Sequence, residues 1–156
     1  MKSERIRNII FLGSKQIGSY CLKFLLDKSK LFNVRVSAVF TKKDDISNRN
    51  NEILSISNEK KIPLFYDKKD LLNLNDIDYM VSVQYHQILK KVHIEKAKIL
   101  AVNLHMAPLP ELRGCNQFSF ALYNEFKEFG TTIHRIEEGI DSGSIINQKR
   151  FKILSN

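Results

Sequence analysis

Asn103 and His105 stand two residues apart at the end of an apolar run, and Asp141 lies further along in a glycine-flanked turn. An amide that donates hydrogen bonds and an imidazole that moves protons can together bind a carbonyl oxygen and pass a proton; a carboxylate can orient the imidazole. In an extended segment, residues two apart project to the same side. Pro108 and Pro110 stiffen the loop that follows, and Gly114 lets its backbone come close to a ligand. Taken alone, an Asn and a His beside a loop are more often bonded to their neighbours than engaged in chemistry. The pair gains weight from the polar segment GTTIHRIEEGIDSGSIINQ, residues 130–148, which carries Asp141. On the same segment His134 alternates with Ile133 and Ile136, and it reads equally well as a packed histidine and as a direct participant.

A scaffold able to present these groups is legible in the rest of the chain. Residues 6–13, IRNIIFLG, form a short apolar run ending at Gly13, the pattern of a buried strand. Ile17, Cys21, Leu22, Leu25 and Leu26 then recur at helical spacing. Residues 33–40 alternate as a strand and 47–61 return to a helical pattern, which makes a βαβ beginning. Pro63 opens a short strand over 63–66, and Asp67 caps a brief helix through Leu72. Residues 76–86 predict a strand, 86–97 a helix and 98–105 a strand again. From Gly130 onward two β-rich runs flank a Gly/Asp turn, the signature of a late antiparallel hairpin. The expected class is α/β, a Rossmann-like, mostly parallel sheet with helices on both faces and a late antiparallel β extension. Function in such sheets gathers in loops beyond the carboxyl ends of the strands, where Asn103 and His105 fall.

The 156 residues suit a single domain, and 43% apolar with 27% charged residues is an ordinary globular balance. Runs such as Ile9 to Leu12 and Ile99 to Val102 are far shorter than the roughly 20 residues a bilayer-spanning helix needs. No secretory h-region follows the charged start, so the expected compartment is the cytosol, with Cys21 and Cys115 as free thiols. The net charge of +8 comes from scattered lysines, among them Lys42-Lys43, Lys60-Lys61, Lys68-Lys69 and Lys90-Lys91. Such a distribution fits first a solvated basic surface, and as the sharper alternative an anionic partner such as a phosphorylated small molecule, a nucleotide-sugar or RNA. LGSKQIG, residues 12–18, is neither a Walker loop nor a G-x-G-x-x-G fingerprint, but Ser14, Lys15 and the helix N-terminus behind them could face a phosphate.

Asn103-x-His105, the loop HMAPLPELRG over 105–114, the segment GTTIHRIEEGIDSG over 130–143 with Asp141, and Gln148 beyond it occur in one order and at fitting separations. In these motifs the chain resembles the folate-dependent formyltransferases, from about Ile6 to the C-terminus and most densely over Val102 to Gln148. The resemblance implies transfer of a formyl group from 10-formyltetrahydrofolate to a primary amine, with Asn103, His105 and Asp141 as the catalytic residues and no metal. The residue chemistry agrees. The formyl carbon becomes tetrahedral and its oxygen gains negative charge, for which the Asn103 amide is a suitable donor. His105 can accept the amine proton or, if protonated, share the oxyanion, and Asp141 would tune it directly or through a water. By the same resemblance His86, Gln87, Ile88 and Leu89 line the pterin, and Glu137, Glu138, Gly139 and Ile140 form the other wall through their backbone. His86 reads equally as a surface residue, and His93 is expected on a helix surface with no specific task.

Among acceptors, the resemblance points to an amino sugar carried by a nucleotide, destined for a bacterial surface polysaccharide such as lipopolysaccharide. Ser14, Lys15, Arg113, Asn116 and Gln117 are the candidate substrate contacts. The loop after the first strand lacks the Gly-rich, Ser-Asn-bearing form that glycinamide ribonucleotide formyltransferases use for phosphate. Transfer-RNA formyltransferases share the catalytic stretch but normally append a C-terminal β-barrel, and the chain's end at Asn156 leads us to expect a single catalytic domain without that extension. A methionyl-tRNA formyltransferase-like enzyme and a non-catalytic module binding folate or nucleotide-sugar are the alternative readings. Membrane and nucleic acid are not expected partners, and a homodimer is open.

Overall fold

The computed structural model describes residues 5–43 and 52–153. The chain divides into two compact units, Met1–Ala101 and Val102–Asn156. In the first, β1 (Arg7–Gly13), α1 (Lys15–Asp27), β2 (Val34–Phe40), α2 (Ile53–Glu59), β3 (Leu64–Phe65) and β4 (Tyr79–Val83) alternate strand with helix. A 3₁₀ turn over Lys68–Asn73 and a single-turn α3 (Lys91–Ile94) complete it. β1 pairs in parallel with β2 on one side and β4 on the other, and β2 pairs in parallel with β3. Ile9, Ile10, Phe11 and Leu12 are each at most 5% exposed, so both faces of β1 are covered, the environment its unbroken apolar run requires. Leu22 of α1 and Ile53 of α2 are fully buried with Val39 and Phe40 of β2.

The expected strand over 63–66 is only Leu64–Phe65, held beside β2 by the Val39↔Leu64 and Phe40↔Phe65 pairs and by stacking of the Phe65 ring on Phe40 at 5.0 Å. Asp67 does cap the turn behind it, accepting from Lys69 N–H at 2.9 Å. The helix expected over 47–61 is Ile53–Glu59 in the described residues; positions 47–51 lie outside them.

The helix expected over 86–97 shrinks to Lys91–Ile94. Residues 86–90 are loop because tertiary hydrogen bonds replace helical ones. The Gln87 amide accepts from Lys68 N–H at 2.9 Å, and Lys68 Nζ donates to the Ile88 carbonyl at 2.6 Å. His93, expected on a helix surface, is 5% exposed, and its Nδ1 accepts from Lys90 N–H at 3.1 Å, satisfying one of the free amides at the start of that turn.

The unit boundary falls inside β5 (Leu100–His105), after which come α4 (Gln117–Tyr123), β6 (Glu128–Arg135) and β7 (Ile145–Lys152). β5 pairs antiparallel with β6, and β6 with β7, as the expected hairpin requires. Ala107, Leu112, Ala121 and Phe129 form the apolar core of this unit, with Ile153 packed against it.

Candidate active site

Strand register decides which side chains meet. Asn103 stands opposite His134 and His105 opposite Thr132 across β5 and β6; Thr132 stands opposite Gln148 across β6 and β7. Directly opposed residues in an antiparallel pair share a face. One face of this sheet therefore carries an amide, two imidazoles, a hydroxyl and a second amide.

Asp141 reaches the same face from the turn between β6 and β7. Gly139 has φ +117° and Asp141 φ +47°, a left-handed bend that only glycine adopts freely and that Asp tolerates. The turn closes where Gly143 passes the end of β6. A Cβ at that position would come 2.0 Å from the Arg135 carbonyl oxygen, and the next residue's carbonyl accepts from Arg135 N–H at 2.9 Å. The bend delivers the Asp141 carboxylate between the two rings, Oδ2 3.4 Å from His105 Nδ1 and Oδ1 3.4 Å from His134 Nε2. Gly114 N–H donates to Oδ2 at 2.9 Å.

Donor and acceptor roles fix much of the proton inventory. A backbone carbonyl can only accept, so His105 Nε2, 2.7 Å from the Leu112 carbonyl, carries a hydrogen. By the same reasoning His134 Nδ1 carries one toward the Arg135 carbonyl at 2.8 Å. The neutral His134 ring then presents Nε2 as an acceptor, and Asn103 Nδ2 donates to it at 3.2 Å. That bond turns the Asn103 amide so that its nitrogen faces His134 and leaves its second Nδ2 hydrogen for another acceptor. In this arrangement His105 offers no lone pair at Nε2; the proton-accepting edge is Nδ1, which faces Asp141.

Burial works against ionisation of Asp141, but it is outweighed by the hydrogen bond from the Gly114 amide and, when the rings are protonated, by a hydrogen bond from His134 and the positive charges of both imidazoles. The carboxyl is held below its ordinary range. His105 and His134 are 4% and 3% exposed, so both imidazoles are nearly withdrawn from solvent, while Asp141 is partly buried.

Of the three residues singled out for catalysis, Asp141 lies beside His105, and Asn103 joins them through His134. His134, which the sequence left undecided, joins them as the partner of both Asn103 and Asp141. Thr132 went unremarked, although its position two residues before His134 on a strand puts it on the same face. The Leu112 carbonyl and Gly114 amide carried no signal, since every residue has such groups. Glu137, Glu138, Gly139 and Ile140 are exposed in the turn that carries Asp141. Arg113 and Asn116 are exposed and Gln117 is buried at the start of α4.

In the first unit, Ser14 and Lys15 meet the loop after β4. Ser14 N–H donates to the Val83 carbonyl at 3.2 Å, its hydroxyl donates to the Gln84 carbonyl, and Lys15 Nζ lies 3.1 Å from Gln84 Oε1. His86 and Ile88 are exposed, while the Gln87 amide anchors its loop to the 3₁₀ turn. Among the described residues no cluster of His, Cys, Asp and Glu is arranged to hold a metal, and no helix is long and apolar enough to cross a membrane.

Known proteins share this arrangement of strands. A phosphoribosylglycinamide formyltransferase from Bacillus halodurans superposes with a TM-score of 0.80 over 95% of this chain and 81% of its own, at 21% identity. That likeness speaks to fold alone: an α/β fold with a mostly parallel seven-stranded sheet and antiparallel C-terminal strands. A sugar 3N-formyl transferase, solved with dTDP and 5-N-formyl-THF, superposes with a TM-score of 0.75 over 96% of this chain and 53% of its own, at 26% identity. By sequence, the methionyl-tRNA formyltransferase of Kosmotoga olearia is 30% identical over 160 residues, 95% of this chain. The chain spans only 50% of that protein's length. The formyl transferase family model matches residues 7–156, nearly the whole sequence. The chain belongs to the formyl transferase family.

Proposed function

We propose that the chain transfers a formyl group from 10-formyltetrahydrofolate to the primary amine of a nucleotide-linked amino sugar. The observation that carries the reading is the Asp141 carboxylate set 3.4 Å from both His105 and His134, with Asn103 bonded to the second ring. The donor supplies a formyl carbon to be attacked by an uncharged amine, and the chain's own groups manage the charge. Asn103 gives its remaining Nδ2 hydrogen to the formyl oxygen as negative charge builds there, a donor already oriented by His134. The proton shed by the amine passes to the imidazole and carboxylate network, where the ionised Asp141 stabilises an imidazolium, and it is returned to the donor's N10 as the bond between the formyl carbon and N10 breaks and tetrahydrofolate leaves.

The proposed pterin contacts are His86, Gln87, Ile88 and Leu89 in the first unit and Glu137, Glu138, Gly139 and Ile140 in the second. Each within its own unit, Ile88 and Ile140 are 67% and 60% exposed, apolar surface open to a ligand. Ser14, Lys15, Arg113, Asn116 and Gln117 are the proposed acceptor contacts, with the cations suited to a diphosphate. Support for the acceptor class comes from the sugar 3N-formyl transferase solved with dTDP. The cytoplasm belongs to the same proposal.

A second reading, methionyl-tRNA as acceptor, is favoured by the 30% identity to a methionyl-tRNA formyltransferase over 95% of this chain. The two separate on incubation with 10-formyltetrahydrofolate and either dTDP- and UDP-linked amino sugars or methionyl-tRNA. Ultraviolet absorbance reports tetrahydrofolate release. Release with an amino sugar and not with methionyl-tRNA supports the first reading. Equal release by wild type and His105→Ala would overturn the proposed catalysis.

A further inference from the structure

We propose that Gln148 and Arg150, adjacent on one face of β7, are positioning residues that clamp the loop over 107–114 and through it hold His105 and Asp141 in register. The expected effect on turnover rests on the formyl-transfer reading; the clamp itself does not.

Two backbone groups of that loop fix the catalytic side chains, the Leu112 carbonyl on His105 Nε2 and the Gly114 N–H on Asp141 Oδ2. Their placement depends on what holds the loop. Thr132, fully buried on β6, donates to the Ala107 carbonyl at 2.8 Å and accepts from Leu109 N–H at 3.1 Å. Gln148 completes the grip, its Nε2 donating to the Leu109 carbonyl at 2.8 Å and to Thr132 Oγ1 at 3.0 Å.

The network is saturated. Both Nε2 hydrogens of Gln148 are committed, and the Thr132 oxygen donates once and accepts twice, its full capacity. Rotating the Gln148 amide by half a turn would set its oxygen against the Leu109 carbonyl. Arg150 excludes that rotation, because its Nε donates to Gln148 Oε1 at 2.9 Å while Nη2 reaches Glu111 Oε1, on the same loop, at 2.6 Å. The Arg150–Glu111 pair is well exposed, with side chains 42% and 47% accessible, and such a pair adds little stability. Its effect is orientation. β7 therefore holds the loop at Leu109 and at Glu111, on either side of Pro110 and just before the two groups that touch His105 and Asp141. A fully satisfied polar network of this kind rigidifies what it joins.

The test uses the intact chain and the isosteric Gln148→Glu, which fills the same space but as a carboxylate has no hydrogen to give. Two imidazole N–H resonances are read by NMR: His105 Nε2–H, bonded to the Leu112 carbonyl, and His134 Nδ1–H, bonded to the Arg135 carbonyl. The variant is expected to lose the His105 resonance and keep that of His134, with kcat lowered about 10- to 100-fold at nearly unchanged KM for the formyl donor, as for a small misplacement of a reacting group. Arg150→Ala is expected to weaken the same resonance without lowering thermal stability appreciably. Retention of the His105 resonance and of wild-type kcat in Gln148→Glu would overturn the clamp, and so would simultaneous loss of both resonances, which signals general unfolding. Selective loss of the His105 resonance in a chain that formylates no acceptor would support the clamp and overturn the formyl-transfer reading instead.

Discussion

His105 Nδ1 lies 3.4 Å from Asp141 Oδ2, while the other nitrogen of the same ring is 2.7 Å from the Leu112 carbonyl. Both edges of the imidazole therefore face acceptors, and protonation at Nδ1 creates a charge-assisted contact with the carboxylate. The ring is built to carry positive charge in place rather than to swing toward solvent. Asp141→Asn retains an acceptor for the Gly114 amide but removes the charge that an imidazolium needs. The expected loss is about 10²- to 10⁴-fold in kcat, the range for disabling acid–base catalysis, with only a modest change in the melting temperature at neutral pH. Steady-state assays alongside thermal melts check both halves.

Acid should act on stability through the same residue. The Asp141 carboxyl is held below the ordinary carboxylate range, since the Gly114 amide and the facing imidazoles, once protonated, outweigh the burial that opposes them. A depressed folded-state value means a contribution that is complete above the unfolded-state value and is lost as pH falls through the folded one. Urea titrations of wild type and Asp141→Asn should differ by a constant amount near neutrality and converge below about pH 4, the ordinary carboxylate range. A gap that widened toward low pH would show the sign to be wrong.

Asn103→Ala removes the donor aimed at the developing oxyanion and leaves His134 Nε2 without its amide partner. Single-turnover rates should fall about 10²- to 10³-fold, as for deletion of one oxyanion donor. Binding of 5-formyltetrahydrofolate, a stable analogue of the donor, should stay close to wild type by calorimetry. Weakened binding in proportion to the lost rate would move Asn103 from catalysis to ground-state recognition.

Thr132→Val keeps shape and burial but deletes a hydroxyl with three partners. Leu109 N–H and one Gln148 hydrogen are left without an acceptor in a buried region, which costs about 1–3 kcal/mol. Chemical denaturation should report the loss as a lower midpoint at unchanged m-value.

Gly143→Ala places a methyl where the Arg135 carbonyl oxygen already stands, 2.0 Å from the added carbon. The turn must shift to admit it, and the expected destabilisation is about 1–3 kcal/mol, that of an overpacked site. Because the shift moves Asp141, activity should fall by more than the unfolded fraction accounts for, which assays well below the melting temperature resolve.

Much of the frame was legible because period and pairing carry it. β1 announced itself as an unbroken apolar run, and the spacing of Asn103 and His105 on a strand already required a shared face. The late hairpin was visible as two β-rich runs around a Gly/Asp turn. What stayed hidden depended on distant partners. The pattern over 86–97 has helical character, but Lys68 and Gln87 take up the groups that would have bonded along a helix, and no local reading contains that exchange. His93 looked exposed for the same reason. At the site, the side chains were legible and the backbone was not. The Leu112 carbonyl decides which His105 nitrogen carries hydrogen, yet leucine has no chemistry to advertise.

The facing arrangement of β5 and β6 makes counting as stringent as chemistry. A single residue inserted between Thr132 and His134 would send one of them to the opposite side of the sheet, whereas two inserted residues would restore the alternation and only lengthen the reach. Drift in this chain is therefore freer in its letters than in its arithmetic: an odd-numbered slip inside either strand would undo the constellation even with every functional residue still present.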